Sequence, residues 1–395
     1  MHHLLARATG KGIAGYNRLA LLLPALAVWG LSGCATQGAG RDDVGPVLRP
    51  VAAVVTEPAG SEGDAADDAA VYVHPYAPER SLILGTDKKG GLLVFDLAGR
   101  RLQTASPSSR PNNVDVLYAV PDGRGGRMDL AVAGAREAGR LGLRYWRIDP
   151  FTRQLADVTR GGHDVVLEGD EPYGSCVYRS AIDARRYVFV NSKSGRVEQR
   201  ELVVHDDGTV SSVLRRVLGL PSQVEGMVAD DERGWLFVAE EAVGLWRFPA
   251  EPDGGTAGVL VAKVGEHGLT ADVEGVSIYR GAGGSGFLVV SSQGSSDFKV
   301  YDRRPPHRFL ATIRPRGTPD APAPRETDGV VAESAPLGRR FPRGVLVVQD
   351  GAEPPRLQDF KVYDWADIAS GLPRVAPAPS PRLRPQRVVA ATGGN

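Results

Sequence analysis

The sequence predicts an all-β chain, a six-bladed β-propeller of four-stranded antiparallel sheets, and three observations carry that prediction. The first is the stretch from Asp272 to Arg303, DVEGVSIYRGAGGSGFLVVSSQGSSDFKVYDR, in which short apolar runs alternate with Gly, Ser and Asp clusters and no helical period fits. It reads as an acidic-Gly opening, a strand from Val276 to Tyr279, a Gly-rich turn, a second strand from Gly286 to Ser291 and a third from Phe298 to Asp302. The second observation is recurrence. VEGMVADDERGWLFVAEEAVGLWRFPAE repeats the order upstream, and TDGVVAESAPLGRRFPRGVLVVQDG, followed by FKVYDW at Phe360 to Trp365, repeats it downstream. Gly226, Gly275 and Gly329 mark equivalent points about 50 residues apart, the period of sheet blades rather than of helical solenoids. The third is length: roughly 310 residues lie between two compositionally distinct ends, enough for six such units. A blade buries its faces only against neighbours, so the units are expected to close into a ring.

The ends are read differently. Basic residues (His2, His3, Arg7, Lys11, Arg18) precede the apolar run LALLLPALAVW, Leu19 to Trp29, and then Leu31-Ser32-Gly33-Cys34. An apolar core this short behind a basic flank is a secretory signal rather than a membrane span. Leu31 to Cys34 resembles the bacterial lipobox, whose cysteine is lipidated, so residues 1–33 are expected as a lipoprotein signal peptide with lipid on Cys34; the alternative is an ordinary cleaved signal with a chance cysteine. Ala35 and Thr36 stand where a retention signal for the inner membrane would show Asp, which favours the outer membrane over a periplasmic or secreted location. The only other cysteine is Cys176, so no intramolecular disulfide forms if Cys34 carries lipid. Residues 34–54 are expected as a tether, 55–370 as the propeller, and the Pro/Ala/Arg-rich 371–395 as a loose tail. The formal net charge of zero argues against nucleic acid as a partner, and a monomer is expected.

In chain order, the propeller opens with Asp64-Ala-Ala-Asp67-Asp68 leading into a strand near Ala70. Hard divalent cations take several oxygen ligands, which such a cluster supplies, although Asp is also an ordinary turn residue. The strand SLILGTD follows, then the loop Lys88-Lys89-Gly90-Gly91, which can place two ammonium groups and free N–H donors against an anion, or can be a solvated hairpin tip. Lysine occurs only seven times against forty arginines, so this doublet and the isolated Lys193 stand out. Asn112-Asn113-Val114-Asp115 begins another apolar strand. Tyr173 lies in a turn ahead of a strand, where its hydroxyl could contact a ligand although a packed turn aromatic is the more common fate, and Cys176 reads as a small core residue. No GxSxG elbow and no P-loop occur, which leaves covalent serine chemistry and nucleotide binding without support.

The recurrence of acids carries the functional reading. Asp67, Asp68, Asp115, Glu225, Asp272, Glu274 and Asp328 all stand at starts of innermost strands, which line a propeller's channel. Their carboxylates should converge at one end, and so many like charges require cations. All-oxygen ligands point to calcium or magnesium before zinc, and seven His with so little Cys leave a zinc site unsupported.

With these motifs assembled, the chain resembles the β-propeller phytases, calcium-dependent enzymes that remove phosphate from myo-inositol hexakisphosphate. The resemblance spans Asp64 to Trp365 and is carried by DAADDAAVYV, GTDKKGGLLVFDL, NNVDV, PYGSCVY, VEGMVADDERGWLFVAEEAVGLWRF, ADVEG, SSQGSSDFKVYDR and ETDGV. It implies several calcium ions held by Asp67, Asp68, Asp115, Glu225, Glu241, Asp272, Glu274, Gln293 and Asp328. Among these it implies catalytic roles for Glu225, Asp272, Glu274 and Asp328, and phosphate binding by Lys88, Lys89, Tyr173 and Lys193. The implied mechanism is in-line attack on phosphorus by a metal-activated water, without a phosphoenzyme. The sequence departs from the family pattern at Ala69, Tyr72, Ser194 and Asp359, and at Leu117, where a basic residue would add a phosphate contact. Two other readings compete. A calcium-stabilised propeller could bind a ligand or protein partner at the cell envelope without turnover, but that would not require the lysines opposite the acids. A lactonase or phosphodiesterase on the same architecture finds no His-based motif here.

Overall fold

The computed structural model describes residues 45–351 and 355–376. Cys34, the expected signal peptide and most of the expected tail lie outside the described residues. Among those described, the strands form six small antiparallel sheets arranged as a six-bladed propeller. Blade 1 comprises Ala66–Tyr72, Leu82–Asp87, Gly91–Asp96 and Arg101–Ala105; blade 2, Pro111–Pro121, Arg127–Glu137, Arg140–Ile148 and Leu155–Asp157. Blade 3 comprises Ser175–Arg179, Arg186–Asn191, Arg196–Val204 and Val210–Gly219; blade 4, Val224–Asp230, Trp235–Glu240, Gly244–Pro249 and Val259–Lys263. Blade 5 is built on Val273–Arg280, Gly286–Ser292, Asp297–Asp302 and Phe309–Ile313, and blade 6 on Val330–Glu333, Val345–Asp350 and Asp359–Asp364.

The second strands are apolar on both faces because each sheet is sandwiched between two others; Leu82–Asp87, Gly286–Ser292 and Val345–Asp350 are buried throughout. The core accordingly lies between blades. Tyr72, Leu84 and Val94 of blade 1 pack on Val114, Ala131 and Trp146 of blade 2. Around the ring the same arrangement recurs, until Val347, Phe360 and Val362 of blade 6 meet Val71, Ile83 and Phe95 of blade 1.

Closure draws on the chain before the first blade. Val54–Val55 pairs antiparallel with Asp359–Asp364 and completes blade 6, and Val47–Leu48 pairs parallel with Phe309–Ile313 as a fifth strand of blade 5. The segment expected as tether is thus docked from Val47 onward, because its Val-rich pieces cover edges that would otherwise expose unpaired backbone. At the other end a short helix, Trp365–Ala369, is capped by the Asp364 carboxylate and stacks Trp365 on Tyr279 at 3.9 Å. Leu372, just inside the expected tail, is buried in the cluster between blades 5 and 6.

Candidate active site

Each innermost strand starts at the same end of the ring, and there the acid-Gly repeat acquires its physical reason. A Cβ on Gly174 would overlap the Glu225 carbonyl, one on Gly226 the Glu274 carbonyl, and one on Gly329 the backbone of Asp68. Adjacent blades therefore touch backbone to backbone at this mouth, and only glycine fits between them. Four of the strands also carry an irregularity in register at this point, between Ala66 and Ala69, Pro111 and Val114, Val224 and Met227, and Val273 and Val276. Bulges of this kind re-aim side chains, and here they bracket Asp67, Asn112, Glu225 and Glu274.

Glu225, Glu241 and Glu274 each offer an oxygen within 4.8 Å of the others. Burial raises the Glu225 carboxyl to about 7, with the nearby Asp67 charge adding to the effect. Glu274 is pushed well above its ordinary value by burial and then by Glu225, and Asp328 likewise by burial and then by Asp67. Glu241, brought in by the loop after Trp235–Glu240, is raised by burial and by Asp272, and accepts a 2.6 Å hydrogen bond from Gln223 Nε2. Asp272 is half-buried, its carbonyl accepting the Gln293 N–H at 3.0 Å, and Gln293 Nε2 donates to Asp328 Oδ1 at 2.6 Å. Asp67 Oδ2 and Glu274 Oε2 are buried without a hydrogen-bond partner. Oxygens that are crowded, costly to ionise and unsatisfied are what a hard cation relieves, so the donor set fits calcium.

The cations lie around the same mouth. Lys88 Nζ sits 2.6 Å from Asp64, 2.9 Å from Asp67 and 3.4 Å from Asp328. Burial works against its charge, but Asp67 and Asp328 outweigh that and hold its pKa above the ordinary lysine value. Lys89 is exposed, its Nζ donating to the Glu62 carbonyl at 2.6 Å. Lys193 Nζ stands 4.3 Å from the centre of the Tyr173 ring. The Tyr173 hydroxyl is raised in pKa by burial and by Glu225 and Glu274, so it stays a neutral donor at the edge of the acidic cluster.

Two of the expected ligands are placed elsewhere. Asp68 turns toward blade 2, where its Oδ2 accepts the Val114 N–H at 3.1 Å. Asp115 lies further down the channel, its two oxygens accepting the N–H groups of Val116 at 2.7 Å and Val177 at 3.0 Å. Both line a channel cavity of about 820 Å³ that also holds Arg280 and Asp231, beyond the converged carboxylates. Leu117 is buried between blades 2 and 3 and has no access to the mouth.

Sequence reasoning passed over three residues, Asn112, Gln223 and Arg136, and read Asp64 only as part of an acidic cluster suited to a divalent cation. Asn112 is fully buried at the blade-2 counterpart of Asp67 and donates to Glu225 Oε1 at 2.7 Å, while its own Oδ1 is unsatisfied. Asp64 holds Lys88, Gln223 holds Glu241, and Arg136 reaches the mouth at the end of Arg127–Glu137, its Nε donating to the Arg110 carbonyl at 3.2 Å. The position of Asn112 in NNVDV, matching the acids of other blades, was the available signal.

Comparison with known proteins accords with this geometry. The profile of the family described as Phytase matches residues 20–378. The chain is 37% identical to a 3-phytase of Bacillus subtilis (strain 168) over 322 residues, 80% of this chain and 84% of that one. Among solved structures, the PQQ-bound aldose sugar dehydrogenase of Streptomyces coelicolor aligns at TM-score 0.42 and 15% identity, covering 78% of this chain and 97% of that one. The Cps50 (Swd1) β-propeller domain of Myceliophteria thermophila aligns at 0.41 and 8%, covering 75% and 82%, and nothing about chemistry follows from likenesses so distant.

Proposed function

The chain belongs to the phytase family and hydrolyses phosphate monoesters of phytate, and we propose that it does so with calcium ions held in the acidic mouth. The observation that carries this reading is the convergence of Glu225, Glu241 and Glu274, with buried unsatisfied oxygens on Glu274 and Asp67. Asp67, Glu225, Glu241, Asp272, Glu274, Gln293 and Asp328 are the residues proposed to hold the ions. When bound, calcium neutralises these carboxylates, draws phosphate oxygens into the mouth and makes water a stronger nucleophile.

The remaining roles belong to the protein. Lys88 presents a permanently charged donor to a phosphate oxygen, and Lys193, with Tyr173 beneath it, presents a second from blade 3. Arg136 takes the part that Leu117 cannot. Asn112 fixes the orientation of Glu225 through its 2.7 Å hydrogen bond. Hydrolysis breaks the bond between phosphorus and the inositol oxygen; the water oxygen takes its place on phosphorus and the leaving oxygen gains a proton. Lipidation at Cys34 and an outer-membrane location complete the proposal, supported by Leu31-Ser32-Gly33-Cys34.

The test is inorganic phosphate release from calcium phytate, with and without a chelator, alongside calcium titration calorimetry on Asp328→Ala and Lys88→Met. Asp328→Ala should lose both calcium binding and release. Lys88→Met should keep calcium binding and raise KM roughly tenfold, the loss of one charged phosphate contact. Release that persists in chelator would overturn the metal role.

A further inference from the structure

The face opposite the acidic mouth is chemically unlike it. Each innermost strand runs from the mouth to this far face and the second strand returns, so the connections at residues 73–81, 149–154, 303–308, 334–344 and 365–376 all lie there. In blades 5 and 6 these connections carry Arg304, Arg308, Arg339, Arg340, Arg343 and Arg374, all exposed or half-exposed, against the single acid Asp367, whereas the far-face connections of blades 3 and 4 carry Asp183, Asp206, Asp207, Asp231, Glu232, Glu251 and Asp253, so the basic surface is one sector of this face. Arg304 shares its charge with Asp302 at 3.3 Å, while Arg303 is buried on Asp230 and Glu232 and takes no part.

The arginine patch continues into an apolar one. Gly338, next to Arg339, lies against Glu79 of blade 1, and beyond it Tyr76 and Phe151 stack at 6.1 Å. These two rings are 73% and 74% exposed, the most exposed large apolar side chains among the described residues. They are held outward rather than collapsed onto the body, since Arg80 Nη2 donates to the Phe151 carbonyl at 2.8 Å and His74 Nε2 contacts the Pro150 carbonyl at 2.8 Å. Basic side chains beside outward aromatic rings suit the headgroup region of an anionic bilayer.

The course of the chain selects the same occupant. Val47–Leu48 runs parallel to Phe309–Ile313, which starts at the far face, so Gly45, the first described residue, lies there beside Phe309, close to Arg304 and Arg308. The preceding residues include Leu31-Ser32-Gly33-Cys34, the proposed site of lipid attachment.

We propose that the far face docks on an anionic lipid bilayer, arginines of blades 5 and 6 meeting the headgroups and Tyr76 and Phe151 entering the interface, so that the acidic mouth points into the medium. The anionic surface attracts the arginine sector of blades 5 and 6, and with the aromatic pair beside it this orients the molecule as well as binding it. The mouth then faces the water from which a soluble polyanion arrives. The proposal is independent of the phytase reading, and its test removes the lipid so that failure of docking and failure of anchoring are distinguishable.

The full chain carrying Cys34→Ala is sedimented with vesicles of phosphatidylcholine alone or mixed with phosphatidylglycerol, at low and high salt. It is compared with Arg308→Glu/Arg339→Glu/Arg374→Glu and with Tyr76→Ser/Phe151→Ser; residues 1–44 are otherwise identical in all three, so differences report on the far face. Binding should require phosphatidylglycerol, weaken with salt and fall roughly tenfold or more in the arginine variant. The aromatic variant should bind less at high salt, and phosphate release in solution should be unchanged in both. Equal binding of the arginine variant and the parent to the phosphatidylglycerol vesicles at low salt would overturn the proposal.

Discussion

Asp67, Glu225, Glu274 and Asp328 illustrate how far a carboxylate's character depends on its neighbours. In the metal-free protein each is buried among like charges, and Lys88 is the cation that Asp67 and Asp328 share. Glu225 sits at about 7 against an ordinary 4.5, so the folded chain retains a proton that the unfolded chain has released over that interval. Stability contributed by that proton is present below about pH 4.5 and is lost as pH rises toward 7, at roughly 1.4 kcal/mol for each pH unit crossed. Glu274, Glu241 and Asp328 are raised in the same direction and add to the loss. The melting temperature of chelated protein should therefore fall between about pH 5 and 7.5, and calcium should flatten the profile. Calorimetry across that range decides it: a flat profile without calcium would show that the carboxylates are not strained at all.

At the scale of the element, the inner strand is a device for bringing acids together. Its glycine lets the neighbouring strand approach, and its bulge turns the preceding side chain toward the mouth. Gly226→Ala should force the Glu274 backbone away, at a cost of about 1–3 kcal/mol as overpacking. The effect on calcium affinity should be larger than the effect on stability, because three carboxylates depend on that one contact. Urea denaturation beside calcium titration separates the two. A variant that binds calcium as tightly as the parent would mean that the close approach of blades 4 and 5 does not build the site. The sequence made this element legible, since Glu-Gly and Asp-Gly ahead of apolar strands recur at a fixed spacing. It did not show the fate of Asp68 and Asp115, because a bulge breaks the alternation by which a strand's inward and outward residues are counted.

The described residues form a ring whose last joint is made by Val54–Val55, ahead of the first blade. Val54, buried against Phe95 and Phe360, belongs to the strand that completes blade 6. Val54→Asp would place an unpaired carboxylate in that joint, at a cost of several kcal/mol. Unfolding should begin there, so the calorimetric transition of the variant should be broader than that of the parent or split, with a melting temperature lower by more than about 5 °C. An unchanged transition would show that closure does not depend on this strand.

The sequence by itself determined the blade pattern, the ring that the pattern demands, the carboxylates at strand starts and the lysines that stand out by their scarcity. Those are properties of short segments, written in apolar period, turn residues and spacing. Only the tertiary structure decided which carboxylates meet, that Asn112 and Gln223 join them, and that Lys88 rather than Lys89 is gripped by three acids. It also decided that Val47–Leu48 and Val54–Val55 belong to the sheets. The physical reason is common to all of these: each depends on the contact between blades distant in the chain, where backbone approach and local bulges set the direction of a side chain, and no periodicity within one blade encodes its neighbour's register.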